Sequence, residues 1–295
     1  MEQKKKQVMF IVNPVSGVKK SQNSIEQIIE ANLDASFFDW TVNYTDSADH
    51  AFQLSTEAVA AGYDIIASVG GDGTANKVIK GAYGSTSAVA IIPAGSGNGL
   101  ARFLKIPIDL GESIALINRQ HYKHIDTVTV NEELFASIAG VGFDALVARK
   151  FAKAGRRGFL TYFRIAMQAY PAYRPRNYKM IIDGVEVRRR ALFVSFANSN
   201  QFGYNTVIAP DALADDGMMD VCIVKKAPII TAPYILGLLW RNKLDDSGYL
   251  EVIRAKEVLL TRNRNRSINL DGEPVKVGKD LKITVNPLTL KVIVP

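Results

Sequence analysis

From residue 8 to residue 92, short apolar runs alternate with longer segments whose apolar positions recur at helical spacing. Val8–Val12, Trp40–Tyr44, Ile65–Val69 and Ala88–Ile92 are predicted strands. Between them, Ser21–Ala31 places Ile25, Ile28 and Ile29 on one helical face. Ala48–Ala61 is a second predicted helix, closed by Gly62, and Ala75–Tyr83 is a third. A β-α-β-α rhythm implies a parallel sheet with helices on both faces. After about residue 126 the rhythm changes. Thr127–Val130, Leu134–Ile138, Tyr178–Ile182, Ala191–Ala197, Met219–Val224, Glu257–Thr261, Ser267–Leu270, Leu281–Val285 and Leu290–Val294 are short strand-like runs. Asp183-Gly184 and Asp271-Gly272 mark turns among them. Helical patterns interrupt this part near Gly158–Tyr170 and Pro228–Trp240. The expected architecture is an α/β N-terminal domain over residues 1–126, followed by a mainly antiparallel β-sandwich over 127–287. Residues 288–295 are left open to rejoin the first domain.

Composition narrows the class without choosing a function. Of 295 residues, 47% are hydrophobic and 22% charged, which suits a globular chain of two domains. The net charge of +7 favours anionic partners such as nucleotides, nucleic acid or anionic lipid. The single cysteine, Cys222, lies in the apolar run 221–224 and reads as a buried thiol, in keeping with a cytoplasmic protein. His50, His121 and His124 lack zinc-ligand spacing. The apolar core of residues 8–12 is too short for a signal peptide. The stretch Ala227–Trp240 is too short to span a bilayer.

Three glycine-rich loops carry the chemistry. Asn13-Pro14-Val15-Ser16-Gly17 follows the first strand, Gly70–Asn76 (GGDGTAN) the third, and Pro93–Gly99 (PAGSGNG) the fourth. All three fall at carboxyl ends of predicted parallel strands, where open α/β sheets bind ligands. Glycines there let the backbone approach phosphates and accept positive φ, and a helix following at residue 75 adds its positive end. Neither G-x-x-x-x-G-K-[ST] nor a first-strand G-x-G-x-x-G is present, so P-loop and dinucleotide fingerprints are both excluded.

With these loops, the segment Pro210–Asp220 (PDALADDGMMD) and Leu270–Pro274 (LDGEP), the chain resembles the diacylglycerol kinase catalytic-domain family. That family includes bacterial lipid kinases, sphingosine kinases and ceramide kinases. The resemblance implies an ATP-dependent lipid kinase acting on a hydroxyl of a membrane lipid, a diacylglycerol, sphingoid base or relative. It implies that Asn13, Thr45, Gly70, Gly71, Asp72, Gly73, Thr74, Ala75, Asn76 and Ser96 line the ATP site, with Asp72 beside the triphosphate and its Mg²⁺. It implies a structural magnesium held by Asp216 and the carbonyls of Leu213 and Met218. A carboxylate of the D-G-E turn, Asp271 or Glu273, would be the catalytic base. Gly99 stands where many bacterial members carry an aspartate, which tilts the acceptor toward a sphingoid base. The alternatives are an NAD-kinase-like small-molecule kinase, sharing Gly70–Thr74, and a non-catalytic nucleotide- or lipid-sensing module.

A lipid acceptor calls for contact with a membrane, on the inner face for a cytoplasmic enzyme. Arg149, Lys150, Lys153, Arg156, Arg157 and Arg164 are interleaved with aromatic residues. Phe159, Tyr162, Phe163, Ala166 and Tyr170 share one helical face, so residues 149–170 or 228–243 are candidates for peripheral docking. No nucleic-acid-binding module is recognisable, so a nucleic-acid partner is not expected. A homodimer is left open.

Overall fold

The computed structural model describes residues 4–17, 24–155, 158–204, 206–231, 234, 235, 237, 238, 241 and 243–295. The chain forms two compact units, one of residues 1–125 with 288–295, the other of residues 126–287.

The first unit begins β1 (Lys6–Val12), α1 (Ile25–Asn32), β2 (Phe38–Tyr44), α2 (Ala48–Ala60), β3 (Ile65–Gly70) and α3 (Asp72–Ala82). It continues β4 (Ala88–Pro93), α4 (Gly99–Phe103) and α5 (Leu110–Arg119). The strand order is β2-β1-β3-β4, every pair parallel. β3 and β4 are buried at each position, which explains their unbroken apolar sequences: both sheet faces are covered. Helix starts follow local signals. Ser24 and Gln27 form a reciprocal capping box at α1, and the Ser47 hydroxyl accepts the His50 N–H at α2. Gly62 ends α2 at φ 77°. The C-terminal residues add a strand, with Val292 paired parallel to Val89.

The second unit starts within β5 (Tyr122–Val130). It continues through β6 (Glu133–Phe135), β7 (Ile138–Gly142), α6 (Phe143–Ala152), α7 (Phe159–Ala169), β8 (Arg176–Ile182), β9 (Val185–Ala191) and β10 (Phe193–Ala197). Then come β11 (Met219–Val224), β12 (Leu250–Ala255), β13 (Glu257–Thr261), β14 (Ser267–Leu270), β15 (Glu273–Lys276) and the start of β16 (Asp280–Ile293). Six strands run antiparallel in the order β12-β11-β10-β7-β14-β15. A second antiparallel layer runs β9-β8-β13-β16. One core joins them: Val141, Phe196, Val221 and Ile268 from the first layer meet Met180, Val258, Leu260 and Ile283 from the second. Both Asp-Gly turns are left-handed at each residue, Asp183 and Gly184 at φ 45° and 85°, Asp271 and Gly272 at 46° and 90°. That is the two-residue hairpin geometry matching strand twist.

Several boundaries differ from the pattern. α3 starts at Asp72 and not at 75, so Gly73–Asn76 are helical. Ala191–Ala197 divides at Leu192, where the chain passes from one layer to the other. Leu134–Ile138 divides at residues 136–137. Leu281–Val285 and Leu290–Val294 belong to one strand, β16, with Leu288 at φ 52°. In the two divided runs a continuous apolar stretch conceals a change of direction imposed by long-range partners. α4, α5 and α6 have no counterpart in the pattern reading. α7 turns Tyr162, Ile165, Ala166 and Tyr170 inward against Phe143 and Val147, so much of the aromatic face expected to meet lipid is core. Of Pro228–Trp240, Ile229–Thr231 is a 3-10 turn; residues 232, 233, 236, 239 and 240 lie outside the described residues. No described helix is long and apolar enough to cross a membrane. Cys222 is fully buried, and burial pushes its thiol pKa up.

Candidate active site

In the first unit, the three glycine-rich loops meet at the carboxyl ends of β1, β3 and β4 and are laced together. The Asn13 side-chain amide donates to Thr74 Oγ1 at 3.2 Å, while its oxygen accepts the Val15 N–H at 3.0 Å. Gly17 N donates to Ala94 O at 2.7 Å. Asp72, in the first turn of α3, accepts the N–H groups of Asn98 (2.8 Å) and Gly99 (2.7 Å), one on each carboxylate oxygen. Asn98 closes the third loop by bonding Gly95 through both ends of its side-chain amide. Thr45 is buried just past β2, its N–H on Val12 O; Asn76 is buried within α3; Ser96 is exposed.

The glycines do not supply the positive φ expected of them. None in these loops has positive φ; the left-handed residue is Asn98, at φ 53°. A Cβ on Gly95 would lie 2.4 Å from Gly71 Cα, and one on Gly17 2.7 Å from Ala94 O. They are small so that the loops can touch each other. Gly71 caps α3 with no side-chain hydrogen bond, so the helix presents its N-terminal turn without an internal side-chain cap. A helix start without a side-chain cap fits a phosphate group. Asp72 is first of all a clamp between two loops.

In the second unit, the two acids of the D-G-E turn are not equivalent. The Asp271 carboxylate accepts the N–H groups of Ala136, Ser137 and Ile138 at 2.9–3.0 Å. It fixes the corner between β6 and β7. Glu273, partly exposed at the start of β15, has no such commitment. Beneath β14 lies a carboxylate that sequence reasoning missed. Asp144, 4% exposed in the first turn of α6, accepts from Asn269 Nδ2 at 2.9 Å and from the Tyr162 hydroxyl at 3.4 Å. Gly140 leaves room for it, since a Cβ there would lie 1.9 Å from Asp144 Oδ2. Burial raises the Asp144 pKa to about 6, against the pull of Asn269 and Tyr162. The available signal was an acid inside the apolar run 138–148.

The segment carrying Leu213, Asp216 and Met218 is held by a second missed acid, Asp126. It is fully buried and accepts the Gly217 N–H at 2.7 Å. Asp216 accepts the Met218 N–H at 3.0 Å through one oxygen and pairs with Arg254 through the other; Arg254 Nε also lies 3.8 Å from Asp220. Among the described residues no three His, Cys, Asp or Glu gather as a metal set. The only charged ligand expected for a structural magnesium is thus committed to a guanidinium. As arranged, the Asp216 carboxylate faces Arg254 where the resemblance placed the ion.

Comparison with known proteins accords with this layout. Residues 7–130 match the diacylglycerol kinase catalytic domain, and residues 137–294 match the YegS C-terminal NAD kinase beta sandwich-like domain. The chain is 26% identical to the diacylglycerol kinase of Bacillus subtilis (strain 168), covering 91% of this chain and 90% of that one. It is 29% identical to a protein of Pseudomonas syringae pv. tomato named "Probable lipid kinase YegS-like", covering 94% and 91%. The crystal structure of a diacylglycerol kinase from Bacillus anthracis str. Sterne has the same fold, with a TM-score of 0.73 at 20% identity over 99% of this chain and 98% of that one. The NAD-kinase likeness is confined to the description of the β-sandwich half.

Proposed function

Since the chain belongs to the diacylglycerol kinase catalytic-domain family and is a lipid kinase, we propose that it moves the γ-phosphate of ATP to a hydroxyl of a membrane lipid, with diacylglycerol first among the acceptors. The names borne by its relatives support diacylglycerol over the sphingoid base that Gly99 suggested. The observation that carries the reading is the clamp of Asp72 on the Asn98 and Gly99 amides. It ties the uncapped start of α3 to the third glycine-rich loop, making a rigid seat for the triphosphate.

Phosphoryl transfer asks for positioning and charge neutralisation more than covalent participation. Magnesium entering with the nucleotide supplies part of that neutralisation. The α3 amides hold phosphate oxygens, and Asn13 keeps the first loop against Thr74. The acceptor oxygen attacks the γ-phosphorus while the bond from phosphorus to the β,γ-bridging oxygen breaks. Glu273 takes the hydroxyl proton, and ADP leaves. Asp271, committed to three amides, is the less able base, and its role is to hold the corner between β6 and β7.

The test is phosphorylation in mixed micelles, each carrying one lipid: diacylglycerol, monoacylglycerol, phosphatidylglycerol, sphingosine, ceramide or undecaprenol. Product is read by mass spectrometry. We expect phosphatidic acid from diacylglycerol, and a fall of about 10²–10⁴-fold in Glu273→Gln. Product at the wild-type rate in that variant would remove Glu273 from the mechanism. Product from sphingosine alone would restore the sphingoid assignment.

A further inference from the structure

The strand that carries Glu273 is lightly held by its sheet. β15 has four residues and lies at the outer edge, with β14 as its one neighbour among the described strands. β14 in turn joins β7 through two residue pairs, Asn269 with Gly140 and Leu270 with Ala139. Within the hairpin, Asn269 faces Pro274 and Leu270 faces Glu273. Proline brings no N–H to the ladder at its position. Asp271 secures the turn through the amides of residues 136–138. A two-stranded hairpin with so little pairing keeps its place only where another element grips the strands themselves.

α6 supplies the grip. It packs on both β14 and β15. From its first turn the Asp144 carboxylate accepts from Asn269 Nδ2 at 2.9 Å on one oxygen and from the Tyr162 hydroxyl at 3.4 Å on the other. The contact lies over the seam between β7 and β14, because Gly140, the strand partner of Asn269, is the residue whose missing side chain makes room for Asp144 Oδ2. Asn269 is thus held twice, by backbone pairing within the sheet and by a carboxylate from the helix packed on it.

Packing alone does not account for this pair. Asp144 is 4% exposed and forms no ion pair among the described residues, so no positive charge offsets its burial. Asn269 is buried to the same degree. With its Nδ2 turned to Asp144, its Oδ1 has no hydrogen-bond partner among the described residues. Two aliphatic side chains would fill the same space with neither cost. Polar groups kept in a core against stability mark places where geometry serves a reaction.

We propose that Asp144 is a positioning residue for phosphoryl transfer: through Asn269 its carboxylate anchors the edge hairpin of residues 267–276, so that Glu273 is held in one place when the acceptor hydroxyl arrives. Asp144 takes no proton from the substrate and acts through the strand. The catalytic part of this rests on Glu273 as the base, while the anchoring of the hairpin does not.

The experiment is a double-mutant cycle on the full chain, Asp144→Ala against Glu273→Gln, with diacylglycerol in nonionic micelles. Hydrogen exchange read by mass spectrometry accompanies it. Asp144→Ala should lower kcat by about 10²-fold and leave the KM for ATP unchanged, since the nucleotide loops belong to the other unit. The double variant should be no slower than Glu273→Gln alone, because a misplaced base and a missing base come to the same thing. Amides of residues 267–276 should exchange faster in Asp144→Ala, with exchange in the first unit unchanged. Wild-type kcat in Asp144→Ala overturns the proposal. So does a double variant whose loss equals the product of the two single losses, or unchanged exchange over 267–276. A silent Glu273→Gln beside faster hairpin exchange in Asp144→Ala sinks the Glu273 reading and leaves the anchor standing. Should Asp144→Ala fail to fold, Asp144→Asn decides in its place. It keeps the shape and removes the buried charge, so slower turnover in a protein more stable than wild type at alkaline pH upholds positioning, and wild-type turnover overturns it.

Discussion

At the scale of single residues, the second unit separates two carboxylates that look alike in the sequence. Three charge-assisted bonds to backbone amides make Asp271 part of the frame. We expect Asp271→Ala to lower stability by about 3 kcal/mol or more, read from urea midpoints, because three buried donors lose an ionised partner. Glu273→Gln should leave that midpoint unchanged while lowering turnover by about 10²–10⁴-fold. Asp144 gives a pH signature of opposite kind. Its folded-state pKa of about 6 exceeds the ordinary 3.8, so the native state binds a proton more tightly than the unfolded chain does. Its cost to stability is therefore absent below 3.8 and grows to its full size above 6. By linkage this amounts to roughly 3 kcal/mol. Asp144→Asn should gain stability relative to wild type as pH rises through that window, and a pH-independent difference in urea midpoints would contradict the buried-charge account.

At the scale of elements, the glycine-rich loops work as a set because they touch. A Cβ on Gly95 would meet the backbone at Gly71, which cannot give way without moving the start of α3. Gly95→Ala should cost about 1–3 kcal/mol in thermal unfolding and weaken binding of a non-hydrolysable ATP analogue, whereas Gly84→Ala, at a turn with nothing nearby, should cost only the strain of its positive φ. The segment carrying Asp216 makes a second case. Arg254 supplies the positive charge that the sequence resemblance assigned to magnesium. We expect the wild-type melting temperature to be insensitive to magnesium. Arg254→Ala should lower it and make it magnesium-dependent; a wild-type transition that rises with magnesium would show that the ion displaces the guanidinium.

At the scale of the whole molecule, two halves with different sequence rhythms were legible from the hydrophobic pattern, because strands spaced by helix-length segments give one rhythm and short strands following closely across turns give another. The glycine-rich loops were legible too, since glycine, asparagine and aspartate are placed by local backbone chemistry at fixed offsets from strand ends. Ligand linkage should follow: an ATP analogue at a hundred times its Kd should stabilise the wild-type nucleotide unit by about 2.7 kcal/mol, and Asp72→Ala should lose most of that gain. What the sequence could not specify were facts created by residues far apart in the chain. Asp271 is a frame residue because residues 136–138 turn their amides toward it, Asp144 is buried because Gly140 lacks a side chain, and Asp216 is neutralised because β12 brings Arg254 beside it. The inward face of α7 was set by where α6 lies, not by its own periodicity. Local pattern fixes backbone geometry and the candidates for chemistry; burial and partner choice arise from long-range packing, and these decide which of several identical carboxylates carries structure and which is left for reaction.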